Sequence, residues 1–229
     1  IEDKFPAGRP ALEEAGVYFC DRETVDKVER MKVTTCLNPL HTALALSGCL
    51  LGYTLISKEM EDEDLNRMVH ILGYKEGLPV VTDPGIINPK DFIDEVIGKR
   101  IPNPFMPDTP QRIATDTSQK LSIRFGETVK SYLASDTLDV RSLKIVPLVY
   151  ALYLRYLLAV DDSGNEFTLS PDPMTDTLQP LLDGITLGST GDFSAQLSRL
   201  LSNEKIFGLD VTKTALFTTV VENFTQMVS

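Results

Sequence analysis

Basic residues are scarce in this chain: 22 lysines and arginines stand against 33 aspartates and glutamates, a formal net charge of −11. Nothing in it resembles a basic stripe for a run of phosphates, which excludes nucleic acid and anionic membrane as partners. A few cations gathered in one pocket would still hold a small anion. Cysteine is nearly missing too. Cys20, Cys36 and Cys49 are odd in number and lack metal-ligand spacing, so they read as reduced thiols of a cytoplasmic protein, with no disulfide frame and no metal site expected. The most apolar run, Leu40 to Ile56, is broken by His41, Thr42, Ser47, Gly48 and Thr54. That suits a buried core helix, whereas a membrane span wants about 20 residues with almost no polar ones. No signal-peptide pattern opens the chain. There is no internal repeat, no convincing period-2 alternation, no Gly-x-Gly-x-x-Gly after a strand and no phosphate-binding glycine loop.

What is present is helical periodicity. The 229 residues suffice for one large domain with a real core. An irregular lead-in, punctuated by Pro6, Gly8, Pro10 and Gly16, runs to about residue 22. Helices are expected over Glu23–Met31, from Asn38 through the apolar run, over Asp62–Leu72, and from Asn88-Pro89 to about Ile97. A further one should run from Asp108 to about Phe125 with Pro110 in its first turn. Glu127–Ala134 follows, then Arg141–Val160 with a kink at Pro147, and then segments near Pro173–Leu182, Phe193–Ser202 and Val211–Val228. Asp161 to Asn165 is a strong turn, with Glu166–Leu169 as a short extended piece. The fold class is all-α, one domain over residues 1–229. Because it begins at Ile1, directly in loop-like sequence, the chain reads as a fragment or processed product.

The segment richest in chemistry is Glu29 to His41. It places a lysine, an asparagine and a histidine around the start of a very apolar helix. An apolar setting disfavours an ammonium and lowers its pKa, as a general base near neutrality requires. An asparagine amide can donate to a developing alkoxide, and Asn38 and His41, three apart, share a helix face. A purely structural alternative stands beside this one. Asn38-Pro39 makes a good cap and first turn, and a lone histidine on an apolar helix usually serves the core. Arg112, Asp116 and Lys120 recur at four-residue spacing, which suits either a ligand-binding stripe or a solvated ion-pair ladder. His70, on the acidic Glu59–Leu72 helix, belongs to no motif.

These segments resemble the mannitol dehydrogenase family, the polyol-specific long-chain dehydrogenases that include mannitol dehydrogenases, fructuronate reductases and tagaturonate reductases. Ile1 to Pro10 looks like the stretch that follows the family's nucleotide domain. Lys32, Asn38 and His41 match its lysine–asparagine–histidine signature, and Glu29 matches an acidic residue before the lysine. Arg112 to Lys120 resembles its second substrate-binding segment, and the likeness runs on through Asp161–Asn165 before fading. One departure matters. The family spaces lysine and asparagine one residue closer, and at about 100° per residue the extra one would swing Lys32 away from His41 along a straight helix. A π-bulge or a break between Val33 and Leu37 would absorb it.

The resemblance implies a helical C-terminal domain of the 6-phosphogluconate dehydrogenase-like type, acting with a Rossmann domain that lies N-terminal to it and is absent here. That domain would bind NAD or NADP and complete the polyol site. In this view Lys32 is the general base, Asn38 the oxyanion donor and His41 a substrate-hydroxyl ligand. Arg112 and Lys120 hold the distal substrate, with Asp116 orienting them, and Glu29 gates or relays the proton. The expected substrate is a linear sugar acid such as mannonate, with mannitol as runner-up. A non-catalytic helical interaction domain is the alternative of another class, and would not bring these side chains to one cavity.

Overall fold

The computed structural model describes residues 1–229 as helices joined by turns and by irregular segments, the longest before Arg22 and between Tyr156 and Thr175. There is no sheet, and a lone bridge pairs Val160 with Glu166. Helix α1 (Arg22–Met31) starts where the Asp21 carboxylate accepts the Thr24 N–H. It then widens into a π-helix over Lys32–Cys36, closed by the Leu37 N–H donating to the Lys32 carbonyl. Thr34 and Thr35 help the widening, because their hydroxyls donate to the carbonyls of Arg30 and Met31. Leu37 breaks the run with φ −138° and ψ −65°, and α2 (Asn38–Leu51) begins with Pro39 in its first turn. The irregularity that the extra residue demands is therefore present.

Short helices follow: α3 (Ile56–Glu59), α4 (Glu63–His70), which passes into a π-helix over Ile71–Gly77, and α5 (Pro89–Glu95), which passes into another over Val96–Arg100. The long helix expected from Asp108 to Phe125 is corrected. It is a single turn, α6 (Pro110–Ile113), then a reversal at Asp116, whose φ of 54° is left-handed, then a π-helix over Ser122–Gly126. Helices α7 (Glu127–Leu133), α8 (Ile145–Tyr156), α9 (Thr175–Leu178), α10 (Ser194–Leu201), α11 (Glu204–Phe207) and α12 (Phe217–Val228) complete the chain. No kink occurs at Pro147. The helix starts only at Ile145, so Pro147 falls in the first turn, where no intrahelical donor is required.

Helices α2 and α8 form the centre, buried along nearly their whole length, and α12 packs on α8. Helix α8 has no cap from its own N-cap residue. Its first N–H groups donate to the buried carboxylate of Glu76 instead, from Lys144 (2.6 Å), Ile145 (2.7 Å) and Val146 (2.9 Å). No helix is long and apolar enough to cross a membrane.

Candidate active site

A cavity of about 250 Å³ opens at the start of α2. Asn38 and His41 line it from α2, Arg100 from the end of the π-helix after α5, and Arg112 from α6. Lys120 and Arg124 reach it from the segment beyond the Asp116 reversal. Leu37, Ile113 and Asp108 complete the wall. The Asn38 side chain does not cap α2, as its structural reading supposed. The N-cap position belongs to Leu37, so the amide stays free to face the cavity.

His41 is neutral at physiological pH. Burial lowers its pKa to about 4, with Arg100, Arg124 and Arg112 pushing the same way and the Leu37 carbonyl opposing them. A neutral imidazole offers one donor and one acceptor to a hydroxylated ligand. Burial also lowers the pKa of Lys120, and neighbouring Arg124 adds to the effect. Arg124, buried without a counter-charge, is lowered to about 10 and stays protonated near neutrality.

Four cations thus face a single carboxylate, Asp108, which Arg112 engages in an ion pair along one helical turn. Lys120 donates to the carbonyls of Ile113 and Thr115. Arg124 donates to the Thr42 hydroxyl at 2.5 Å, and that hydroxyl donates to the Asn38 carbonyl at 3.1 Å.

Of the residues singled out in the sequence, the cavity gathers Asn38, His41, Arg112 and Lys120. It does not include Lys32 or Glu29. These line a separate hollow of about 200 Å³ with Ile1, Tyr18, Val25, Val28, Ile86 and Ile87. The π-helix over Lys32–Cys36 and the Leu37 break are present, yet they do not bring Lys32 into the cavity of Asn38 and His41. Asp116 is not the partner of Arg112 either, because the reversal ends the helix that would have aligned them. Arg124 and Arg100 are additional. Arg124 continues the four-residue spacing of Arg112, Asp116 and Lys120, a signal open to view in the sequence, whereas Arg100 has no local mark.

The domain is all-helical, and its small cationic cavity holds one amide and one neutral imidazole. The chain belongs to the mannitol dehydrogenase family: the model of the mannitol dehydrogenase C-terminal domain matches residues 24–228. It is 52% identical to the D-mannonate oxidoreductase of Thermotoga maritima over the whole of this chain and 43% of that protein. It is 29% identical to the mannitol 2-dehydrogenase of Aspergillus niger, over 97% of this chain and 43% of the other. Among solved structures, the Pseudomonas fluorescens mannitol 2-dehydrogenase in ternary complex with NAD and D-mannitol superposes with a TM-score of 0.78. The pair share 29% identity, over 99% of this chain and 42% of that one. The chain therefore spans less than half the length of these relatives.

Proposed function

We propose that this chain is the substrate-binding and catalytic half of an NAD(P)-dependent oxidoreductase that interconverts D-mannonate and its keto form, D-fructuronate. The observation that carries this reading is the cavity itself, where a free asparagine amide and a neutral histidine stand among four cations in a chain of net charge −11. The similarity to a D-mannonate oxidoreductase supports the same substrate class. A polyol such as mannitol is the second reading, favoured by the likeness to a mannitol-bound structure. Asn38 and His41 share one cavity and Lys32 does not, so the expected convergence is met only in part, and it is the family match that speaks against a non-catalytic interaction domain.

This chain's residues do not fit the nicotinamide nucleotide. With no sheet, it has no strand–loop–helix unit to cradle a pyrophosphate. The hydride acceptor is accordingly assigned to a separate N-terminal nucleotide-binding domain, and this chain to holding the substrate and moving its proton. Asn38 donates to the oxygen that gains charge during oxidation, His41 binds a substrate hydroxyl, and Arg112 and Lys120 bind the distal end. The family motif assigns Lys32 as general base and Glu29 as its relay; both line a hollow apart from the Asn38 cavity, so this assignment rests on the motif match alone. Unpaired cysteines fit a cytoplasmic location.

Two measurements test this assignment. The isolated chain should lack activity, since it supplies only the substrate side of the near-attack geometry. In the intact enzyme, Lys32→Ala should lower kcat by roughly 10²–10⁴, the usual contribution of a general base. Near-normal kcat on mannonate would remove Lys32 from the role and direct attention to Glu29.

A further inference from the structure

Arg124 is more deeply set than the other cations of the cavity, and its charge is not met within the protein. Its guanidinium makes one hydrogen bond, to a neutral hydroxyl, and no carboxylate lies within ion-pair distance of it or of Arg100. The single carboxylate of the cavity, Asp108, is taken by Arg112, and Lys120 is occupied by backbone carbonyls. A guanidinium held out of water without a counter-charge is unfavourable unless a ligand supplies one.

The position of Arg124 is also fixed. Its π-helix is clamped at Gly126, where an added Cβ would overlap the Phe207 carbonyl, and at Ser122, whose carbonyl approaches Gly208. The bond to Thr42 ties the guanidinium to the same turn that presents Asn38 and His41. Nε and Nη2 remain available as a planar fork, the geometry that matches a carboxylate.

Resting on the reading of this cavity as a sugar-acid site, we propose that Arg124, assisted by Arg100, recognises the substrate carboxylate and selects an acid over a neutral polyol. A polyol would leave the mutual repulsion of Arg100, Arg112, Lys120 and Arg124 uncompensated. A carboxylate relieves it, and with it the repulsion that Arg100, Arg124 and Arg112 exert on His41, with Asp108 the sole acidic group facing the imidazole across the cavity.

The test is the ratio of kcat/KM for D-mannonate to that for D-mannitol in the intact enzyme. Arg124→Gln should lower this ratio about 10- to 100-fold, mainly through KM for mannonate, as expected for losing a hydrogen-bonded charge partner. Arg124→Lys, which restores charge without the fork, should recover part of it. Arg100→Gln, at an exposed position that the fold does not depend on, should lower it about 3- to 10-fold and carries the test if Arg124→Gln fails to fold. Bound D-mannonate should also raise the pKa of the His41 ring, followed by NMR, and D-mannitol should not.

Mannonate oxidation with an unchanged ratio in the Arg124 and Arg100 variants overturns the inference and leaves the proposed function standing. A wild type that prefers mannitol overturns both. If the wild type oxidises neither compound, the proposed function fails and calorimetric binding of D-mannonate decides the inference. Binding weakened by Arg124→Gln or by Arg100→Gln supports it, and binding that is absent, or unchanged in both variants, overturns it.

Discussion

Glu59 lies where α2 and α6 touch, fully buried, with both carboxylate oxygens lacking a hydrogen-bond partner. Gly48 lets it approach, since a Cβ there would overlap both the Glu59 carboxyl and the Pro110 ring. Burial pushes its pKa up to about 9, from 4.5 in an unconstrained chain. Between those values the unfolded chain gives up the proton while the folded one keeps it, so stability falls as pH rises through that window, by at most about 1.4 kcal/mol per pH unit. Glu59→Gln, which cannot ionise, should remove this slope. Urea unfolding at about pH 5 and about pH 8 should show the variant gaining on wild type at the higher pH, and parallel losses would contradict it. At this scale the sequence was partly readable. Asn38 and His41 carry their significance in a local motif, and His70 does stand apart from the cavity, packing beside Tyr74. Glu59 sits among the acidic residues that open toward α4, and nothing local distinguishes it from its solvated neighbours.

The elements of this protein depart from regular periodicity where its cavity is built. Of four π-helices, those at Val96–Arg100 and Ser122–Gly126 deliver Arg100 and Arg124 to the cavity, and the one at Lys32–Cys36 sets the entry to α2. Each is a widening of the helix turn, and such widenings concentrate at functional sites. A 3.6-residue pattern sees them only as noise. That is why Glu23–Met31 and the apolar α2 were legible, while Asp108–Phe125 read as one helix and was not. The extra residue between Lys32 and Asn38 was visible only because a family spacing existed to compare it with. Glu76 illustrates a different limit: it caps α8 from 68 residues away, beyond any local signal. Glu76→Ala should leave three helix N–H groups unmet and cost about 2–4 kcal/mol in urea unfolding. Glu76→Gln, retaining one acceptor, should cost about half. A change below about 0.5 kcal/mol for Glu76→Ala would show that the cap is dispensable.

For the whole molecule, helical periodicity and the lack of period-2 alternation were sufficient for the all-α class, because a half-buried strand would have shown that alternation. The placement of Lys32 and Glu29 in their own hollow was not legible, since it depends on how α1 and the N-terminal segment close over the turn. The chain spans less than half of its relatives, and the proposal joins its cavity to a nucleotide-binding partner domain. The most direct measurement is NAD(P)H formation from D-mannonate by the enzyme carrying this chain, compared with its Asn38→Ala variant. The account predicts turnover of mannonate by the wild type and a loss of about 10²–10³ in kcat for the variant, as for removal of an oxyanion donor. Failure of the wild type to reduce the nucleotide with mannonate, or an unaltered kcat in Asn38→Ala, would contradict it.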